Sequence, residues 1–488
     1  MKNTILSLAA VAIVAMGCDN LLKEEVYSQL DPETLFQSAA GVERVLYGAY
    51  DNLDINGNFG GNIHFQEEWT CDQFWETGGA VNQQAVPMLN FTFDASYPTH
   101  WNELWNRFYR GIRNCNIVLE NIDGSPVDEE SKTIMTAEAR FIRAAIYYKA
   151  LMLWGGVPLR TKTTDPAKME RASAEALGKF IEDELNAVKD VLPERGKRSG
   201  YQYGRATKGA AYGYLCKYYL NTRQWRKCAD IAQDIIGSGT YELWSDYTTL
   251  FTVDNERTNK EFIWVYTCNA SGTGNEEMNG AFPAAFKSTV DGKIVFKDNM
   301  RNWARMDRVW DSFYNSFDPS DKRRELFVTE YINTKGQRVS LLGSDNIRSF
   351  KYTPDPDAVA NAHGNDIPVI RYADILLARA EALNELDGPS QEVLDLIQQV
   401  RDRAGLTEPL KLGDYTRETL RERILDERGW EFYQENLRRE DLIRNGTFIS
   451  RAKARTGNAN IDDHFLVFPI PQKEVDATEG ICKQNPGY

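Results

Sequence analysis

Apolar residues recur at steps of three and four along PVIRYADILLARAEALNELDGPSQEVLDLIQQVRDRAG, residues 368–405, and that period belongs to amphipathic helices. Val369, Ala373, Leu376, Ala380 and Leu383 line one buried face, and Ala378 and Ala382 add a stripe of small residues on which a neighbour can pack closely. Asp387-Gly388-Pro389 stops the helix, because glycine accepts the left-handed C-terminal position and proline cannot continue the hydrogen-bond ladder. Ser390 then caps a second helix with its stripe at Val393, Leu394, Ile397, Val400 and Ala404, and Gly405 ends it. The predicted unit is two antiparallel helices from Pro368 to Gly405, close to the roughly 34-residue period of tetratricopeptide repeats.

The same texture returns over Ala206–Gly239, where Ala210, Tyr214 and Tyr218 mark one helix and Ala229, Ile231 and Ile235 the next. A fainter pair joins Ala139–Gly156 to Ala174–Leu192 across a long insertion. Single helices are predicted over Ala39–Asn52 and Trp101–Asn121, the second with Trp105, Phe108, Tyr109, Ile112 and Cys115 on one side. Stacked helix pairs form an extended concave scaffold, which suits binding more than chemistry.

Two stretches break the period. Asn52–Trp101 is rich in Gly and Asn, and Tyr241–Lys351 holds a strand in EFIWVYT, a loop over Asn269–Gly280 and an aromatic group in NWARMDRVWDSFYNSFD. Long loops on a repeat scaffold are disproportionately functional. Farther on, Arg421–Asn445 carries Glu427, Glu431, Glu435, Arg438 and Asp441 at helical spacing, which reads as a structural ladder of i,i+4 ion pairs.

Composition narrows the function classes. A net charge of −14 without any Lys/Arg cluster argues against nucleic acid, since phosphate neutralisation needs concentrated positive charge. The four histidines, His64, His100, His363 and His464, form no ligand-spaced pair, and no loop motif calls for calcium. No cofactor and no metal are expected. The N-terminus, MKNTILSLAAVAIVAMGC, has Lys2 and then twelve apolar-rich residues from Ile5 to Met16. A membrane-spanning helix takes about 20 residues, so this is a signal peptide, residues 1–17. Ala15 and Gly17 before Cys18 resemble a bacterial lipobox, which would make Cys18 the acylated first residue of the mature chain. Residues 18–30 then form a tether. Six of the seven cysteines remain, and although Cys216 and Cys228 fall on the two helices of one repeat, spacing alone proves no disulfide. They are expected to be mostly buried and unpaired.

Seven segments together, in order and spacing, carry a resemblance that spans nearly the whole chain. They are Cys18 with DNLLKEE and DPETLF behind it, WNRFYRGIRNCN (105–116), RFIRAAIYYKALMLWGGVPL (140–159), DKRRELF from Asp321, IRYADILLARAEAL from Ile370, ERGWEFYQENLRREDLIRNG from Glu427, and FPIPQKEVDATEGICKQNPGY at the C-terminus. The chain resembles the SusD/RagB family of nutrient-binding outer-membrane lipoproteins of Bacteroidetes. It departs from the family pattern at Asn436, where Gly is usual, and at Thr478-Glu479, where Asn is common. The resemblance implies an all-α body of about four tetratricopeptide-like helix pairs with a loop-rich lobe containing short strands. One SusD-like domain would cover 31–488, its helical body about 31–240 and 366–450 and its ligand-binding lobe about 241–365. The resemblance also implies a lipid-anchored protein facing the cell exterior that captures an oligosaccharide and passes it to a SusC-like TonB-dependent transporter, without cleaving it.

Aromatic faces stack on sugar rings while carboxylates and amides take the hydroxyls. The ligand-binding candidates are therefore Trp69, Asp72, Trp75 and Glu76 from the first irregular stretch and Trp303 from the second, with Trp105, Trp154, Trp225, Trp244 and Trp430 assigned to the core. Three rival readings stand beside this one: a peptide-binding member of the same family, an all-α glycan-degrading enzyme with facing carboxylates, and a periplasmic scaffold with a protein partner.

Overall fold

The computed structural model describes residues 32–53, 67–76, 82–96, 99–197, 203–254, 258–303 and 307–488. The signal segment, Cys18 and the whole of the tether lie outside the described residues.

Short polar side chains start the helices of the body. Ser38 accepts the Gly41 amide ahead of α1 (Ala39–Asn52). α2 (Thr99–Asn121) leads into α3 (Glu129–Trp154), which Asp128 caps through the Ser131 amide. Ser173 caps α4 (Ala174–Val188) and Thr207 caps α5 (Lys208–Asn221), which is followed by α6 (Trp225–Gly237). α7 (Tyr372–Asp387) stops at Gly388, φ +83°, and Ser390 caps α8 (Gln391–Arg403). A Thr416/Thr419 capping box opens α9 (Arg417–Phe432). Each such cap satisfies amides that have no partner inside their own helix and stabilises the helix by about 1 kcal/mol.

The helices stack in chain order, α1 on α2 through to α7 on α8, so four helix pairs share one continuous core. Close approach needs small residues at the crossings. A Cβ on Gly111 of α2 would lie 2.6 Å from Ile146 Cδ1 of α3 and 3.0 Å from Asn52 Cβ of α1.

Among the described residues, nine short strands form the second lobe: β1 (Phe74–Trp75), β2 (Phe262–Tyr266), β3 (Phe286–Thr289), β4 (Arg308–Val309), β5 (Phe327–Val328), β6 (Glu330–Asn333), β7 (Arg338–Ser340), β8 (Arg348–Ser349) and β9 (Ile367–Arg371). They pair antiparallel as β1-β4, β2-β9, β3-β6-β7 and β5-β8. Phe74, Tyr247, Phe251, Phe262, Phe282, Phe286, Phe350 and Tyr433 dominate a second core beneath them.

Three expectations need correction. Residues 368–371 are strand, not the first turn of a helix: Pro368, Val369 and Ile370 suit extended backbone, and β9 pairs with β2 before the chain turns directly into α7. The Arg421–Asn445 ladder is not one helix, because Gln434 (φ +60°) and Asn436 (φ +58°) take left-handed backbone and break it after Phe432. Trp225, Trp244 and Trp430 are half-buried, whereas Trp105 and Trp154 are in the core. Both departures from the family pattern sit on left-handed backbone, Asn436 and Glu479 (φ +55°), a conformation that Gly and Asn take with least strain. None of the six described cysteines is in a disulfide, and five are buried.

Candidate functional site

β1 and β4 pair with Phe74 opposite Val309 and Trp75 opposite Arg308. Strand alternation sends Phe74 and Val309, both 0% exposed, into the loop-lobe core and turns Trp75 and Arg308 the other way, half-buried. The Trp75 ring stacks on Trp310, centroids 5.2 Å apart at 21°, and the Arg308 guanidinium lies 4.8 Å from the Trp75 centroid.

Backbone contacts fix both indoles. Trp75 Nε1 donates to the Asp345 carbonyl at 2.6 Å, and Trp310 Nε1 donates to the Phe74 carbonyl at 3.2 Å. Asp311 and Asp345 exchange hydrogen bonds, each amide donating to the other's carboxylate at 2.8 and 3.2 Å. The two N–H groups are spent on the protein, so what the pair offers outward is ring surface edged by charge. Such a platform suits a flat ligand with apolar faces and polar edges, as a sugar ring has.

Of the five residues named from sequence, Trp75 alone forms this platform. Trp69 is 0% exposed in the body core and has no accessible face to offer a ligand. Asp72 is clamped by Arg438 (Nε–Oδ1 2.8 Å, Nη2–Oδ2 3.0 Å) and by Arg451 (2.7 Å), and this tethers the first excursion to the segment after α9. Burial alone would raise its carboxyl, but Arg438 and Arg451 outweigh it and hold Asp72 well below the usual carboxylate range. Glu76 lies behind the platform at 1% exposure, where its Oε2 accepts the Asp307 amide at 3.1 Å. Trp303 is half-buried against the body core, its amide donating to the Asn279 carbonyl at 2.9 Å. Trp310 and Arg308 were missed. Both lie in the aromatic group after Asn302, but nothing local marks them as partners of a tryptophan over two hundred residues earlier.

Burial, and then the neighbouring Asp307 charge, push Glu76 up to about 9 from the ordinary 4.5. A carboxyl raised in this way stabilises the fold while protonated, a contribution fully present below pH 4.5 and lost as pH climbs towards 9. Glu76→Gln, neutral at every pH, is expected to flatten that decline, measured as urea midpoints at pH 6 and pH 9. An equal decline in both proteins would show that some other group titrates there.

The chain matches two family profiles, one described as "Starch-binding associating with outer membrane" over residues 20–220 and one described as "SusD family" over 345–488. It is 26% identical to SusD-like protein P25 of Formosa agariphila, covering 97% of both chains, and 24% identical to the starch-binding protein SusD of Bacteroides thetaiotaomicron, covering 99% of this chain and 98% of that one. Among solved structures, a laminarin-binding SusD-like protein superposes with a TM-score of 0.77 at 26% identity, over 93% of this chain and 100% of that one. Surface glycan-binding protein A of Bacteroides thetaiotaomicron, solved with laminarihexaose, gives a TM-score of 0.74 at 22% identity, over 92% and 99%. With four stacked helix pairs, a loop-rich lobe and profile matches at both ends, the chain belongs to the SusD family.

Proposed function

We propose that this protein is a surface glycan-binding lipoprotein that takes up a neutral oligosaccharide on the Trp75–Trp310 platform and hands it to a TonB-dependent outer-membrane transporter. The stacked, half-buried indole pair carries this reading, since it presents ring surface beside Arg308 with its own N–H groups already satisfied. The names of the relatives, starch-binding in one and laminarin-binding in another, support a glycan as the ligand class. Binding without cleavage is supported by the two carboxylates that the sequence offers as candidates. Asp72 is held in a double arginine clamp and Glu76 is buried, so they do not form the facing pair, roughly 5 to 10 Å apart, that glycoside hydrolysis uses.

No described helix is long and apolar enough to cross a membrane. The lipobox-like segment before Cys18 supports attachment by acylation there, and stable anchoring takes more than one chain, as a diacylated cysteine supplies. The test pairs two measurements. The form beginning at Asp19 is titrated with laminarin, starch and their hexasaccharides, and full-length protein with Cys18→Ala is fractionated from cells. Expected are saturable binding to at least one glycan without product release, and loss of the Cys18→Ala protein from the membrane fraction. Turnover of any glycan would overturn the binding reading, and undisturbed membrane attachment would overturn the anchor.

A further inference from the structure

A second aromatic cleft, about 330 Å³, opens between α1, residues 203–205 and the loop that follows β2. That volume is near the lower end of the roughly 300–1,000 Å³ of small-ligand sites. Tyr47 and Tyr50 of α1, Tyr203 and Tyr266 stand around it half-buried, with Trp264 buried behind them.

The walls are braced. The Tyr50 hydroxyl donates to Glu138 at 3.2 Å and accepts the Ala206 amide at 2.8 Å, and Trp264 Nε1 donates to the Gly204 carbonyl at 3.1 Å. Gly204 has φ +93°, and a Cβ there would meet Thr267 Cγ2 at 2.5 Å, so backbone and loop touch along this wall. The loop itself is closed by the Asn269 amide donating to Thr273 O at 2.9 Å. Asp51, Thr267, Asn269 and Thr273 form an exposed polar rim.

Charge narrows the ligand. Arg205 on the floor donates to Glu138 through Nε, at 2.7 Å, and through Nη2, with Nη1 3.5 Å from Glu43. Its charge is thus matched within the protein, and among the described lining residues only Asp51 adds another. Such a site repels anions and suits an uncharged ligand with flat faces and hydroxyl edges. The cleft shares no lining residue with the platform. The lobe's aromatic core lies between them: Phe74 packs on Tyr433 at 6.5 Å and Phe251 on Phe262 at 6.0 Å, with the Lys351 ammonium over both Tyr433 and Phe251.

We propose that this cleft is a second saccharide subsite, taking a neutral hexose unit of the glycan held on the Trp75–Trp310 platform; it rests on that reading. Two subsites on one folded chain make the second contact of a polymer intramolecular, which raises avidity without raising the affinity of either site.

The test compares six proteins: wild type, Trp75→Ala/Trp310→Ala, Thr273→Arg/Tyr266→Ala, the combination of these two variants, Thr273→Arg alone and Tyr266→Phe. Retention is measured in gels containing laminarin or starch, with calorimetry on laminarihexaose and maltohexaose. The cleft variant is expected to bind polysaccharide at least tenfold more weakly than wild type, and the combination to lose the residual binding that the platform variant keeps. Thr273→Arg alone changes only an exposed rim residue and is expected to show the loss without unfolding, whereas Tyr266→Phe keeps the ring and is expected to bind normally. A cleft variant that binds polysaccharide like wild type, or a combination no weaker than the platform variant, overturns the subsite while leaving the platform in place. A platform variant that binds like wild type overturns the platform reading and, with it, the cleft's role as a second subsite. Wild-type protein that binds none of the four glycans overturns both.

Discussion

Replacing Glu431 with alanine is expected to lower stability by about 3 to 5 kcal/mol, the loss seen when one partner is removed from a buried ion pair. Glu431 Oε1 receives Arg371 Nη1 at 2.5 Å and also Arg403 Nη2, while Oε2 receives Arg323 Nη1 at 3.2 Å. Each of these side chains is at most 4% exposed. The arginines come from unrelated places: Arg323 precedes β5, Arg371 ends β9 and Arg403 ends α8. Arg371 also binds Glu261 and Glu435, and Arg323 binds Asp321 and Glu427, so one carboxylate sits at the centre of a lattice joining loop lobe to helical body. Removing it leaves three buried guanidinium groups short of negative charge. Urea unfolding is the measurement, and a loss under about 1 kcal/mol would mean that water or neighbouring carboxylates take over the role. Burial would raise the Glu431 carboxyl, but Arg403, Arg371 and Arg323 outweigh it and hold it far below its ordinary 4.5. Its contribution is therefore present above that value and lost only as pH falls well beneath it. Wild type is therefore expected to be more stable than Glu431→Gln from neutral pH down past 4.5, with the difference shrinking only in strong acid.

Trp75→Ala and Trp310→Ala are each expected to weaken glycan binding by about 2 kcal/mol or more, roughly thirtyfold in Kd, as truncating a central aromatic anchor does. The two changes should fall short of additive, because each indole positions the other through the stack and through hydrogen bonds to Asp345 and Phe74. Trp69→Phe is the control. Its site is sealed in the core, so it should lower stability and leave Kd unchanged. Calorimetry on each variant, alongside its urea midpoint, separates lost contact from lost fold. Unchanged affinity in both platform variants would remove this surface from the function.

Much of the helical body was legible in the residues. Asp387-Gly388-Pro389 and Ser390 punctuate α7 and α8 where their side-chain chemistry requires, and the apolar stripes of 206–239 fall within α5 and α6. These are local signals, since a cap or a 3.6-residue period is decided within one turn. Local patterns also misled. The stripe beginning at Val369 suggested helix, but β2 supplied a pairing partner and Pro368-Val369-Ile370 became strand. The Glu/Arg spacing of 427–441 suggested i,i+4 pairs along one helix, and tertiary packing instead buried those carboxylates against arginines from three other segments.

The candidate site divides in the same way. Aromatic residues in a loop excursion pointed to Trp69 and Trp75 alike, because the sequence carries no record of which ring keeps an accessible face. The pairing of β1 with β4 made that distinction: its register turns Trp75 towards Arg308 and Trp310, while Trp69 folds into the body core. What the chain determined by itself was most of the helices of the body, the caps at several of their ends and the kind of scaffold they build, because those depend on neighbours three or four residues apart. What only the tertiary structure decided was which charges are buried and which aromatics remain accessible, because both depend on contacts between residues hundreds of positions apart.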